Sequence, residues 1–317
     1  MPFDSYHSIH QQSFLCSSAG LPGHLLILLV MLLLAGGPFT VAWSEVRVTD
    51  DAGQEIVLQQ PADRIVSLSP HITELLFAAG AGSAVVGVSE YSNYPAAAET
   101  IPRISGGGGL DMEAIIALRP DLVVAWQSGN PGQQVKHLQS LGLTVFLSEP
   151  RLLEDVPQTI RELGTLAATR TPAFEQAAAY EKRLDGLRSR YSQRPEVTVF
   201  YQVWTNPLMT INGEHLISDV MQVCSGRNVF AQLPALAPQI DVEAVLVANP
   251  DVIIIGADSA DDSMLQQWRR WPELSAVKHK QLYSIQRELL VRQTPRVLDG
   301  VERLCEILEK ARSEELN

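Results

Sequence analysis

An α/β fold of two lobes, each a parallel sheet covered by helices and joined by one long rigid helix, is what this sequence predicts, and three observations predict it. The first is an internal repeat. Asp111, Glu113, Ala114, Pro120 and Asp121, followed by Leu122-Val123-Val124-Ala125-Trp126, recur without a gap as Asp241, Glu243, Ala244, Pro250 and Asp251, followed by Val252-Ile253-Ile254-Ile255-Gly256. Each copy reads as an Asp that caps a helix, a short apolar-faced helix, a Pro-Asp turn and an apolar run of strand length. Secondly, those runs carry no polar alternation, so both faces of each strand are buried, as in a parallel sheet between helical layers. Thirdly, a helical stretch over residues 171–193 separates the two copies, opened by Thr171-Pro172 and stopped by Arg194-Pro195. It spans about 33 Å, one domain diameter, and is stiff where a Gly/Ser linker would swing. Two Rossmann-like lobes related by duplication follow.

Taken in order, the chain opens on an apolar run over residues 24–35 with Thr40-Val41-Ala42 behind it. This is the core and cleavage site of a signal peptide spanning 1–42, too short for a comfortable membrane span, although no Lys or Arg precedes it. Residues 46–60 alternate around Asp50-Asp51-Ala52-Gly53 and predict a hairpin at a sheet edge. A strand over 64–68, a helix over 72–79 stopped by Gly80, and a strand over 85–89 come next, with the loop Ser89-Glu90-Tyr91-Ser92-Asn93-Tyr94-Pro95 beyond. Gly80-Ala81-Gly82 follows a helix and so lacks the strand-first context of a dinucleotide fingerprint. After the first repeat come a helix over 133–141, a strand over 144–147 and a helix over 155–168. This lobe covers 46–170, the linking helix 171–194 and the second lobe 195–317. The second lobe has a strand over 197–203, a helix over 216–224, the repeat, a helix over 263–270, a strand over 282–285, a loop over 286–292 and a final helix from Pro295.

The composition of the 317 residues, 19% charged and 46% hydrophobic, is that of a globular chain, and its net charge of -12 gives no footprint for nucleic acid. Cys16 leaves with the leader. Cys224 and Cys305 remain, either as one disulfide or as two buried thiols, and their even number in an oxidising compartment favours the bridge. No Gly-x-Ser-x-Gly elbow, P-loop, His-Glu-x-x-His or Cys nucleophile is present. The expectation is therefore a binding protein and not an enzyme. His71, His137, His215 and His279 read as satisfied or solvated, and no metal site is expected. Tyr91, Tyr94, Trp126 and Trp204 stand on loops at strand ends, where open α/β sheets bind ligands, and suit a large, partly apolar ligand.

From about residue 64 onward the chain resembles the periplasmic vitamin B12-binding proteins of ABC importers, within the iron-siderophore and cobalamin binding group. The resemblance rests on Ser67-Leu68-Ser69-Pro70 with Thr73-Glu74, the tyrosine loop, Leu118-Arg119-Pro120-Asp121-Leu122-Val123, Ala125-Trp126, Gly129-Asn130, Asn206-Pro207, residues 223–230 and Pro295-Arg296. It implies the helical-backbone periplasmic binding protein fold, with a corrinoid held between the lobes as cargo and no cofactor. It also implies roles: Tyr91 and Trp126 as ligand contacts, Glu288, Leu289, Leu290, Val291 and Arg292 as a ligand-contacting loop, and a Cys224–Cys305 disulfide. Glu113 and Glu243 become docking carboxylates for an inner-membrane ABC permease dimer with its ATPase subunits. The sequence departs from the pattern at Gly106 to Gly109 and at Ala237, where pocket aromatics are expected; Trp204 compensates for one. The alternative is a ferric siderophore or haem binding protein of the same fold, for which Arg103, Arg292 and Arg296 would supply a basic pocket.

Overall fold

The computed structural model describes residues 45–106, 109–257 and 263–315. The leader expected over 1–42 and Gly107 and Gly108 of the glycine run lie outside them. From Ser44 the chain is one compact unit. It opens on the antiparallel hairpin β1 (Val46–Thr49) and β2 (Glu55–Leu58). Asp50 Oδ1 accepts from the amides of Ala52 and Gln54, and Gly53, at φ 77°, closes the turn. The hairpin does not extend a larger sheet, as the sequence predicts, but is a two-stranded sheet of its own. Its turn latches onto Leu147 through Asp51 N to the Leu147 carbonyl (3.0 Å) and Leu147 N to Asp50 Oδ2 (3.2 Å).

The first lobe runs β3 (Ile65–Ser67), α1 (Pro70–Ala78), β4 (Val85–Val88), a small pair β5 (Ser105–Gly106) and β6 (Gly109–Leu110), α2 (Met112–Ala117), β7 (Leu122–Trp126), α3 (Gly132–Ser140), β8 (Val145–Ser148) and α4 (Asp155–Leu166). Helix α5 (Arg170–Tyr191) follows. The second lobe runs β9 (Val197–Gln202), a small pair β10 (Trp204–Thr205) and β11 (Leu208–Met209), α6 (Leu216–Val223), β12 (Gly226–Asn228), α7 (Val242–Ala248), β13 (Val252–Ala257), α8 (Ser263–Gln266), α9 (Ser275–Lys278), β14 (Leu282–Gln286), α10 (Arg287–Val291) and α11 (Val297–Glu315).

Both lobes carry a four-stranded parallel sheet with matching order, β4-β3-β7-β8 and β12-β9-β13-β14. The repeat explains the match. Asp111 Oδ1 caps α2 at the Ala114 amide (2.9 Å), and Asp241 Oδ1 caps α7 at the Ala244 amide (2.8 Å). The second Asp of each copy ties the turn to the neighbouring strand: Asp121 Oδ2 accepts from the Arg64 amide and Asp251 Oδ2 from the Thr198 amide, both at 2.9 Å. Strands β7 and β13 are buried on both faces, as their apolar runs require. Leu122 and Val124 face one core while Val123 and Ala125 face another, and Val252 and Ile254 alternate likewise with Ile253 and Ile255.

The core that faces α5 is continuous across both lobes. Ala173, Ala177, Tyr180, Leu184, Leu187 and Tyr191 form a stripe at helical spacing along α5 and pack into it. Hinge motion between the lobes would have to open that shared core. Asp219 in α6 adds a further tie, accepting from the Leu153 amide at 2.8 Å. The Cys224–Cys305 disulfide, Cα atoms 4.8 Å apart, staples the end of α6 to α11.

Several further elements depart from the sequence reading. Strand β12, with only Gly226, Arg227 and Asn228, has no apolar run to announce it. Helix α9 was not expected, and the expected 263–270 helix is α8 followed by a short 3-10 turn over Gln267–Arg270. The expected loop over 286–292 is helix α10, whose Arg-Glu-Leu-Leu composition is helix-forming and whose Glu288 pairs with Arg292 one turn later at 2.6 Å.

Candidate functional site

A cleft of about 420 Å³ opens between the lobes, within the range of small-molecule sites. Its first wall lies beyond the carboxyl ends of β7 and β8 and presents Trp126, Ser128, Glu149 and Arg151. The second presents Glu214, His215 and Leu216 from the start of α6, together with Leu236, Val291 and Gln293. Trp126 is held by its backbone: Asn130 Oδ1 accepts from the Trp126 amide (2.7 Å) while Asn130 Nδ2 donates to the Leu68 carbonyl (3.0 Å). A Cβ on Gly129 would stand 1.9 Å from the indole ring, so glycine there leaves room for it. Behind the indole lies His71, with ring centroids 5.1 Å apart at an interplanar angle of 84°. Burial drives the His71 pKa down to about 3, so its imidazole is neutral. Its Nδ1 shares a proton with Ser69 Oγ at 2.7 Å.

Beside the cleft an ionic clasp joins the lobes. Glu74 in α1, its side chain 2% exposed, accepts from Arg292 Nη1 at 2.8 Å and from Arg296 Nη2 at 2.6 Å and Nε at 2.9 Å. Arg292 also donates to Glu288 Oε1 (2.6 Å), Asn93 Oδ1 (2.8 Å) and the Tyr91 carbonyl (3.1 Å). Asn93 Nδ2 returns a bond to Glu288 Oε1 at 3.0 Å. The tyrosine loop is thus fastened to the second lobe from its inner side, and Arg103 Nη1 braces it through the carbonyls of Ser92 (3.0 Å) and Ser89 (3.3 Å). Tyr91 sits at φ 61°, a backbone region that non-glycine residues rarely occupy, where the bonds to its neighbours hold it.

Residues 65–289 match the family model described as "Periplasmic binding protein". The chain belongs to the periplasmic binding protein family. It is 36% identical over 255 residues to the vitamin B12-binding protein of Vibrio cholerae serotype O1, covering 80% of this chain and 92% of that protein. The Yersinia pestis (strain Pestoides F) vitamin B12-binding protein is 33% identical over 248 residues, covering 78% and 86%. Among solved structures, the periplasmic vitamin B12-binding protein of Vibrio cholerae superposes with a TM-score of 0.74 over 80% of this chain and 98% of its own. A periplasmic haem-binding protein from Roseiflexus sp. RS-1, at 22% identity and TM-score 0.70 over 79% and 99%, shares the fold.

Within this periplasmic binding protein the expected site residues part company. Trp126 and Val291 line the cleft. Tyr91 is 80% exposed and lies outside the lining. Tyr94 stacks on the Arg296 guanidinium, 4.0 Å from ring centroid to Cζ, and faces a separate recess of about 290 Å³ with Phe77 and Gln176. Trp204 is exposed on the short β10–β11 ribbon, its Nε1 donating to the Asn206 carbonyl at 3.1 Å, also outside the lining. Glu288 and Arg292 are engaged in the clasp, Leu289 is half-buried, and Leu290 is part of the shared core with no face toward a ligand. Glu113 and Glu243 are exposed in the first turns of α2 and α7, in matching burial patterns. The sequence reading missed the cleft's polar rim: Glu149 and Arg151 follow β8 directly, and His215 caps α6. Position beyond a strand end was the available signal for the first two. Among the described residues, no group of three or more His, Cys, Asp or Glu is placed to hold a metal ion.

Proposed function

We propose that this periplasmic binding protein holds cobalamin or a related corrinoid between its lobes and delivers it to an ABC permease dimer powered by its ATPase subunits, without acting on the ligand chemically. The names of its relatives support the substrate class, and one observation carries the choice against a haem or ferric siderophore: the basic groups beside the cleft are already paired. Arg292 and Arg296 are bound to Glu74 and Glu288, and Arg103 is bound to loop carbonyls. In the lining itself Arg151 is outnumbered by Glu149 and Glu214. Anionic propionates or iron chelates would meet a lining whose carboxylates outnumber its one arginine. A corrin rim of uncharged amides around an apolar ring suits an aromatic wall with neutral polar groups. Titration calorimetry with cyanocobalamin and cobinamide, against haem and a ferric siderophore, tests this. One-to-one corrinoid binding is expected, and corrinoid silence with siderophore or haem binding would refute it.

Export by a leader over residues 1–42 puts the receptor in the periplasm on this reading. Glu113 and Glu243 serve as its docking points, one per lobe, matching a two-fold permease with one carboxylate for each subunit. Both also complement a helix N-terminus, worth roughly 0.3–1 kcal/mol, which is compatible with docking. In a reconstituted importer, a Glu113→Ala, Glu243→Ala double variant should bind ligand normally and lose transport. Full transport by that variant would rule docking through these residues out.

A further inference from the structure

His215 stands in the cleft wall contributed by the second lobe, at the N-cap of α6. Its Nδ1 accepts a hydrogen bond from the Ile217 backbone amide at 3.1 Å. A ring nitrogen that accepts from a backbone N–H carries no proton of its own, so a neutral imidazole held this way has its proton on Nε2. The ring is neutral: burial lowers its pKa to about 4, well under the pH of the compartment. The described residues supply no hydrogen-bond partner for Nε2. With Nδ1 turned onto the helix, Nε2–H is the donor left for whatever occupies the cleft, across from Trp126 on the other wall.

We propose that His215 is a specificity-determining residue whose Nε2–H donates to an oxygen acceptor of the bound corrinoid, with α6 setting the tautomer that makes it a donor. This inference rests on the corrinoid reading above. The acceptor is an amide carbonyl of the corrin rim or the phosphate of the nucleotide loop, both of which offer an oxygen to a neutral donor. Axial coordination of the ligand's metal by this side chain is disfavoured by the same geometry. Nε2 would have to lose its proton, and the Nδ1 lone pair is already directed at the Ile217 amide. Recognition at this wall is therefore through the ligand's periphery.

The test separates the cap from the contact. His215→Ser keeps a capping hydroxyl but lacks the reach of Nε2, whereas His215→Ala loses both. Calorimetry with cyanocobalamin should show both variants binding about 5- to 10-fold more weakly than the wild type, the range of one lost hydrogen bond. Thermal melting should fall for the Ala variant and stay close to wild type for Ser, so a Ser variant that melts normally yet binds weakly shows a loss that a purely structural capping role would not produce. Cobinamide, which lacks the nucleotide, identifies the acceptor: an equal loss for both ligands assigns it to a rim amide, and a loss confined to cyanocobalamin assigns it to the phosphate. Either result supports the proposal. A Ser variant that binds both corrinoids within twofold of wild type overturns it while leaving the proposed function standing. A wild-type protein that binds neither corrinoid overturns both.

Discussion

Replacing Glu74 with Gln removes the carboxylate at the centre of the clasp and leaves two guanidiniums facing a neutral amide. Side-chain exposure is 2% for Glu74, 9% for Arg292 and 17% for Arg296, so none of these charges is well solvated. Arg292 keeps Glu288, but Arg296 then stands 3.7 Å from that same carboxylate as its nearest remaining partner. Breaking a buried pair on one side costs about 3–5 kcal/mol, because the desolvated partner stays behind uncompensated. With a urea m value of about 3 kcal/mol/M, the unfolding midpoint should drop by about 1–1.7 M. The cost arises from stranded charge and not from lost attraction. A quadruple variant, Glu74→Gln and Glu288→Gln with Arg292→Met and Arg296→Met, leaves no charge of the clasp behind and should therefore recover to within about 1 kcal/mol of wild type. Urea unfolding followed by far-UV circular dichroism measures both. A Glu74→Gln midpoint shift below about 0.3 M at unchanged m would mean that water already reaches these groups, and the account of the clasp as a desolvated interlobe tie would fail.

Glu162 in α4 titrates the other way from most carboxylates: burial, reinforced by the nearby Asp51 and Asp50 against a Gln158 hydrogen bond, raises its pKa from 4.5 to about 7. Its folded-state pKa lies above its unfolded value, so its stabilisation is complete below about pH 4.5 and is lost as pH rises through about 7. Over that window the wild type should lose on the order of 1 kcal/mol relative to Glu162→Gln, the shift being discounted for a carboxyl that water partly reaches; parallel pH profiles of the urea midpoint would contradict this. The Cys224–Cys305 bridge closes a separation of 81 residues, for which chain entropy gives a stabilisation of about 4–5 kcal/mol before native-state terms are included. Thermal melts with and without reductant should differ by several degrees, and a Cys224→Ala, Cys305→Ala variant should be indifferent to reductant. Asp111→Ala and Asp241→Ala each remove one helix cap and should cost about 1 kcal/mol apiece, additively since they lie in different lobes, as read by urea unfolding of the singles and the double.

What the sequence determined by itself is what local pattern can encode. Asp111 and Asp241 as caps, the Pro-Asp turns, strands β7 and β13 buried on both faces, and α5 between the sheets all follow from residue type and spacing within a few turns of chain. Trp126 was legible because a strand end in a parallel sheet is a fixed place relative to the cleft. Even here locality has limits. Strand β12 is three residues of glycine, arginine and asparagine and owes its existence to the neighbouring β9, with which it pairs. The clasp joins residues 218 apart, Glu74 and Arg292, and no periodicity relates them. In sequence Arg292 and Arg296 look like free cations for an anionic ligand, and Tyr94 looks like a cleft aromatic. Folding brings Glu74 beneath both arginines and lays the Tyr94 ring on Arg296, which cancels the basic pocket and turns the tyrosine to another recess. His215 reads in sequence as satisfied or solvated, and the fold makes it both a cap of α6 through Nδ1 and a side chain of the cleft wall. Only the tertiary structure decided which charges remain available to a ligand, because an ionic group's availability depends on the groups within about 4 Å of it, and chain docking rather than sequence neighbourhood selects those groups.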